Sequence, residues 1–301
     1  MRISERGMTR NVLSDLMANR TRLSRLQEQL SSGSRINRPS DDPGGTMRVM
    51  QIKSTLEEIE GFRSNASAAH DWMSATESTL AEISDVVQHV RELAVRGSTD
   101  ALPQESRDAL ADEVTESLDH LFSLANSQHV GRYLFGGYKS DEAPYGGDAG
   151  TGFTYSGDSG SITRKIGPDV EIQMNVPGTW GATAEDAPGF LEKLLNTTAQ
   201  VRDDLSSGDL DAVNDGIVDL DERQDEVLSA RSSLGSRMNR LQMSENRLED
   251  MDLSLKRMLS ETADVDIAEA VMNLNMTERA YNVTLATGAR ILPQTLLDYL
   301  R

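Results

Sequence analysis

The sequence predicts a mainly α protein. The N-terminal and C-terminal halves of the chain pack side by side as a long helical bundle, or coiled-coil rod, with a small β-rich insert at its distal end. Three observations predict this. Both chain ends carry amphipathic stripes in alternating three-four steps, the spacing that keeps a narrow apolar seam along a helix. Residues 210–259 hold the same alternation over about 50 residues. Between residues 139 and 187 the helical period vanishes, and glycine, proline, serine and aspartate become dense.

The elements follow in order. Val12, Leu16, Leu23, Leu26 and Leu30 mark the first stripe, with Asn19 in the skipped slot, and Ser31-Ser32-Gly33 reads as a helix C-cap. After a loop, Asp42 and Pro43 read as N-cap and first residue of a second helix. Its pattern is weak through Met47, Met50 and Leu56. It sharpens at Trp72, Thr76, Leu80, Ile83, Val87, Val90 and Ala94, and ends at Gly97. Pro103 opens a third helix, with Leu110, Val114, Ser117, Leu121 and Leu124 on its buried face and Gly131 as its stop. Residues 153–155, 162–166 and 170–176 alternate with period two, as strands with one buried face do, and Pro177-Gly178 is a turn. Helix returns at Phe190, Leu191, Leu194 and Leu195 and breaks at Ser206-Ser207-Gly208. Asp209 then caps the longest pattern, whose skipped slots are Gln224, Arg231, Glu245 and Asp252; unbroken, it makes a rod of about 75 Å. Ile267, Val271, Leu274, Tyr281, Leu285 and Leu292 form the last stripe, with Glu278 and Gly288 between them. The terminal stripes need partners: each other, other subunits, or both. The expected layers are residues 1–42 with 264–301 for assembly, 43–138 with 188–263 as rod, and 139–187 as outer insert.

Composition points away from several function classes. The formal net charge is -19, which repels phosphate backbones and anionic membranes, so neither nucleic acid nor membrane is an expected partner. Hydrophobic content is 37% and aromatics are 4%, lean for a globule and ordinary for helices packed through Leu, Met, Val and Ala. There is no cysteine, hence no disulfide, thiolate metal site or cysteine nucleophile. The first eight residues lack an apolar run and a small-residue cleavage site, so no cleavable secretory signal is expected. No window reaches the roughly 18 to 20 apolar residues of a membrane span. The expectation is a soluble chain that, if exported, uses a route without such a signal.

Candidate chemical sites reduce to structural readings. Gly157-Asp158-Ser159-Gly160 resembles the surroundings of a serine nucleophile, but a nucleophilic serine needs a base. All four histidines, His70, His89, His120 and His129, fall in predicted helical segments, and the tetrapeptide sits among turn residues. An enzyme whose insert is the catalytic module, carried on a helical stalk, is disfavoured because the insert is short and holds no histidine. Asp209, Asp211 and Asp215 lack the calcium-loop pattern, since Val213 stands where a ligand belongs; they read as first-turn acids favoured by the helix dipole. No catalytic residue, cofactor site or metal site is expected. Arg35 and Arg38 flank a loop in an acidic chain; they pair with carboxylates of a neighbouring subunit, or within the chain with Asp41 or Asp42.

Two motif blocks bracket the chain. Leu30-Ser31-Ser32-Gly33-Ser34-Arg35-Ile36-Asn37 followed by Asp41-Asp42-Pro43-Gly44-Gly45 resembles the N-terminal signature of the bacterial flagellin family. Val265-Asp266-Ile267-Ala268-Glu269-Ala270 and Pro293-Gln294-Thr295-Leu296-Leu297 resemble its C-terminal signature. The resemblance implies terminal helices that line a tube, a helical rod outside them and a variable domain facing outward. Within the family, Met1-Arg2-Ile3-Ser4, Asn37-Arg38-Pro39-Ser40, Tyr133-Leu134-Phe135-Gly136-Gly137-Tyr138 and Asp298-Tyr299-Leu300 look like the members that form the junction between hook and filament. Leu292-Pro293-Gln294 and Arg301 look like flagellin itself, which keeps a short flagellin as the alternative. The implied role is mechanical. The chain would assemble with itself in a ring or short helical zone, between hook-associated protein 1 and flagellin. It would sit in the extracellular flagellum after export through the flagellar type III apparatus, with a cytoplasmic export chaperone holding the terminal seams. The resemblance implies an assembly role for Val12, Leu16, Leu23, Leu26, Leu30, Arg35, Arg38, Ile267, Val271, Leu274, Tyr281, Leu285 and Leu292.

Overall fold

The computed structural model describes residues 5–181 and 188–291. These residues form six helices: α1 (Glu5–Ser32), α2 (Pro43–Gly97), α3 (Gln104–Ala125), α4 (Phe190–Ser207), α5 (Leu210–Ala263) and α6 (Ile267–Ile291). Six short strands lie between α3 and α4: β1 (Gln128–His129), β2 (Arg132–Tyr133), β3 (Tyr145–Asp148), β4 (Gly152–Tyr155), β5 (Thr163–Gly167) and β6 (Val170–Gln173). They pair as three separate antiparallel hairpins. The protein is therefore mainly α, with the strands confined to one stretch. The chain divides into two compact units, Met1–Glu58 with Asp250–Arg301 and Ile59–Glu249, and both α2 and α5 contribute to each.

Helix limits follow from local chemistry. Gly33 has φ +70°, the left-handed conformation that ends α1 and that glycine adopts without a Cβ penalty. At the start of α2, Asp42 Oδ1 accepts from Gly45 N at 2.9 Å and so satisfies an orphan helical donor. Asp209 does the same for α5 by accepting from Ala212 N at 3.1 Å, and Asp266 for α6 by accepting from Ala268 N at 2.9 Å. Gly208, at φ +76°, closes α4.

In the unit Ile59–Glu249, helices and hairpins share one core. Leu80, Ile83, Val90, Leu118, Leu121, Leu220, Leu234 and Leu241 are joined in one cluster with Tyr145, Phe153, Ile166, Ile172 and Phe190. The inward residues of the hairpins are thus part of the helical core. Of the four skipped slots of α5, two are filled by polar pairs to α2: Gln224 Nε2 donates to Ser84 Oγ at 2.6 Å, and Arg231 Nη2 reaches Glu77 at 2.8 Å. The partners run in opposite directions seven residues apart, so α2 and α5 are antiparallel here. Polar pairs inside an apolar seam fix its register.

The predicted stop of α3 at Gly131 is wrong. The helix ends at Ala125, with Asn126 as C-cap, and residues 128–133 form the first hairpin around Val130-Gly131. His129 therefore lies in β1 rather than in a helix, edge-on to Trp72 with ring centroids 5.9 Å apart. Helical periodicity in α3 hid the change of element. β3 was also missed, because Tyr145-Gly146-Gly147-Asp148 reads as a turn by composition.

Val130 has φ +50° and is 89% exposed. A β-branched residue in this region is crowded, and two-residue hairpin turns of this kind favour Asn-Gly. Val130→Asn should raise the unfolding free energy by about 1 kcal/mol, the usual scale of the left-handed penalty, read by urea unfolding. An unchanged or lower midpoint would count against strain at this turn.

Candidate assembly site

In the unit Met1–Glu58 with Asp250–Arg301, α1 and α6 approach within 8 Å between Cα atoms. They are antiparallel. A Cβ built on Gly288, late in α6, would stand 3.0 Å from a methyl of Val12, early in α1. Asn19 Nδ2 donates to Thr284 Oγ1 at 3.4 Å. The α1 side of the seam is the set of half-buried residues Val12, Leu16, Asn19, Leu23, Leu26 and Leu30. On α6, Ala270, Thr277 and Gly288 are buried and Leu274, Tyr281 and Thr284 half-buried. Both sets step by three and four, the heptad rule. Bulky residues on α1 meet mostly small ones on α6, which lets the two backbones come close.

The sequence reading found the α1 face in full and the α6 face in part. Leu274 and Tyr281 lie in the seam. Ile267, Val271 and Leu285 do not; they are 64%, 41% and 42% exposed, on a flank of α6. Leu292 lies outside the described residues, as do Met1–Ser4, Pro293, Gln294 and 298–300. A stripe picked by side-chain bulk cannot find a face built from Ala270, Thr277, Thr284 and Gly288. The signal was there in the seven-residue spacing of the small residues. Met272, Met276 and Val283 are exposed on further sides of α6. These apolar residues share the outer surface of α6 with the exposed Glu269, Glu278 and Arg279.

The loop after α1 is tied to the junction of α5 and α6. Ser34 and Asp264 form an antiparallel bridge. Arg35 N donates to Ala263 O at 2.6 Å, and Val265 N donates to Gly33 O at 3.0 Å. The Arg35 guanidinium donates to Thr262 O at 2.8 Å and meets Asp42 at 3.4 Å. One side chain thus caps the carbonyl end of α5, where a cation suits the helix dipole, and holds the start of α2. Arg38 pairs with Glu28 at 3.0 Å, and Arg25 lies 3.5 Å from Asp41. Within the chain, then, Arg35 is held by Asp42, while the Arg38 guanidinium is held by Glu28 and Asp41 accepts from the Arg38 backbone N at 3.0 Å. Gly45 explains the Asp-Pro-Gly-Gly motif: a Cβ there would lie 2.5 Å from the Asp42 carboxylate and 2.6 Å from Ile36. The hydrogen bond from Gly45 N, with a further contribution from Arg35, holds the Asp42 carboxyl below the usual aspartate value.

The residues weighed for catalysis or metal binding have structural roles. Asp158 Oδ1 accepts from Gly160 N at 2.8 Å and from Tyr138 N at 2.7 Å, so Ser159 sits in an Asx-turn. His89 pairs with Glu113 at 3.1 Å and His120 with Glu82 at 3.5 Å, linking α2 and α3. Among the described residues no group of three or more His, Cys, Asp or Glu could hold a metal ion, and no helix is long and apolar enough to cross a membrane.

The two-ended seam and the loop that ties it match a known family. Residues 3–140 match the bacterial flagellin N-terminal helical region and residues 217–300 match the bacterial flagellin C-terminal helical region, so the chain belongs to the bacterial flagellin family. It is a structural, non-enzymatic component of the extracellular bacterial flagellum. The chain is 26% identical to flagellar hook-associated protein 3 of Salmonella typhimurium, over 95% of this chain and 96% of that one. It is also 26% identical to flagellin of Bacillus subtilis, over 100% of both. Among solved structures, FlgL of Bacillus cereus shares the fold with a TM-score of 0.60 at 20% identity, covering 70% of this chain and 99% of that one.

Two outcomes test the site. Gly288→Leu should force α6 off Val12, so amide exchange over residues 12–30 should quicken while residues 80–94 keep their protection; equal protection in both variants would show that Gly288 is not a contact. Asp42, with its lowered value, stabilises the joint above the ordinary aspartate value of 3.8, and the contribution is lost as pH falls through the lowered one. The protection factor of the Gly45 amide, its exchange rate relative to the intrinsic rate at the same pH, should therefore be high at neutral pH and fall only on acidification below that ordinary value, with Asp42→Asn abolishing that fall.

Proposed function

We propose that this chain is the adaptor subunit of the hook–filament junction. It assembles with itself in a ring or short helical zone and joins hook-associated protein 1 on one side to the first flagellin subunits on the other. What carries the reading is the end-to-end similarity to a flagellar hook-associated protein 3, over 95% of this chain and 96% of that one. The motifs at Tyr133–Tyr138 and at the two chain ends support it. The terminal layer of residues 1–42 and 264–301 is the polymerising part, residues 43–138 and 188–263 the rod, and residues 139–187 the outward insert. Arg35 and Arg38 hold the terminal layer in shape, and the exposed Ile267, Val271 and Leu285 face other subunits. Export runs through the flagellar type III apparatus, with a cytoplasmic chaperone covering the terminal helices until assembly.

An adaptor must differ in its two faces, because a contact that repeats on itself without limit propagates as a helical filament. The competing reading, a short flagellin, rests on full-length similarity to a flagellin and on Leu292-Pro293-Gln294. A strain deleted for the gene separates the two. It should still build hooks and release flagellin into the medium, yet carry no filament, as seen by electron microscopy and by blotting the medium. Purified protein should remain monomeric or form only short oligomers under conditions that polymerise flagellin. Long tubes grown from this chain alone would decide for flagellin.

A further inference from the structure

Charge is unevenly spread along the chain. Residues 1–48 carry nine arginines and five carboxylates, net +4, whereas the other 253 residues carry -23. On α1, Leu13 and Met17 are 51% and 58% exposed, and with Arg10, Arg20 and Ser24 they form a second stripe, turned away from the seam with α6. Met17, Arg20 and Ser24 line a shallow groove with Arg25 and Arg38. Arg25 and Arg38 are occupied by Asp41 and Glu28, but Arg20 has no carboxylate partner among the described residues.

A complementary gap exists in the unit Ile59–Glu249. Three of the four skipped slots of α5 have partners: Gln224 has Ser84, Arg231 has Glu77 and Asp252 has Lys256. Glu245 has none among the described residues, and neither has Glu249 one turn on. On the α2 side Arg63 stands across from Glu245 among the small residues Ser64, Ser67 and Ala68, and the two helices leave an open cleft of about 660 Å³ that is also lined by Gln242 and Asn246. Glu60 and Asp71 add negative charge at its rim, against Arg63, which lies 3.9 Å from Glu60. Four carboxylates, Glu60, Asp71, Glu245 and Glu249, share this cleft with the single cation Arg63, and the half-buried Glu245 has no ion pair among the described residues, unlike its neighbours in the same pattern. The arginine-bearing outer stripe of α1 complements this negative, polar cleft, because a guanidinium can fork onto two carboxylates.

We propose that the outer stripe of α1 in one copy seats in the α2–α5 cleft of a second copy, with Arg20 reaching Glu245 and Glu249. This rests on the self-assembly proposed above. It assigns the free charges of α1 and α5 to one contact between subunits.

The chain has no cysteine, so single introduced cysteines report the contact cleanly. Ser24→Cys and Gln242→Cys flank the two surfaces without removing a charge of the contact. Both full-length variants would be co-expressed in the strain deleted for the gene, and the surface appendages oxidised and run on a non-reducing gel. The expected result is filaments on the cells and a cross-linked dimer that neither variant gives alone. Adding Arg20→Glu to the Ser24→Cys chain should cut the dimer at least about tenfold, the effect of losing one well-placed charge pair. Adding Glu245→Arg to the Gln242→Cys chain should restore it. Filaments without the dimer, or a dimer unchanged by Arg20→Glu, would overturn the proposal while leaving the assembly role intact. If the unmodified chain failed to restore filaments to the deleted strain, the assembly role itself would fall.

Discussion

The structure of the assembly unit depends on a short pairing between distant parts of the sequence. Residues 33–35 bond to residues 263–265, more than 220 positions away, through the bridge of Ser34 to Asp264 and the backbone bonds of Arg35 and Val265. Bringing such distant residues together carries a loop-closure cost, though that cost grows only slowly with length. The contacts that offset it lie on both sides of the joint. The α1–α6 seam leads into it from one direction, and Arg35 and Asp42 anchor the start of α2 on the other. Without the joint, α1 and α6, helices of 28 and 25 residues, would have only their own seam to hold them together.

Register is set by the same device in two places. In α1 and α6 it is Asn19 with Thr284; in α2 and α5 it is Gln224 with Ser84 and Arg231 with Glu77. A purely apolar seam with a seven-residue repeat can slip by one repeat and lose little. A polar group displaced by one repeat would face hydrocarbon and lose its partner, a cost of about 1 to 3 kcal/mol for each unsatisfied group. Long seams need such markers more than short ones, because the number of near-equivalent registers grows with length. The polar slots that interrupt the α5 pattern are thus part of the fold's specification.

Much of this was legible in the sequence. The stops at Gly33, Gly97 and Gly208, the caps at Asp42 and Asp209 and the long period of α5 rest on local chemistry, which the surroundings do not override. The α1 face was legible because every apolar member of it is a bulky aliphatic. The α6 face was half legible, because small residues can form either a surface or the closest of contacts, and the choice depends on the partner helix. The early end of α3 and the hairpin at Val130-Gly131 were hidden for another reason. His129 packs edge-on to Trp72, a residue far away in sequence. Arg38 illustrates the same limit: Asp41, near in sequence, binds its backbone N, and the fold brings Glu28 from the preceding helix to its guanidinium.

The uneven exposure of α6 bears on why a subunit of this kind is built from two such different helices. The face toward α1 is small and fits closely, and the remaining circumference carries Ile267, Val271, Met272, Met276, Val283 and Leu285 interspersed with the exposed Glu269, Glu278 and Arg279. Methionine is flexible and polarisable, and it adapts to surfaces of differing shape. A helix meant to meet only copies of itself could use β-branched and leucine side chains throughout and gain rigidity. The adaptor proposed above would meet partners of different sequence on its two sides. Unbranched thioethers on α6 tolerate that difference, and the close seam with α1 keeps the helix itself in a fixed position while they do so.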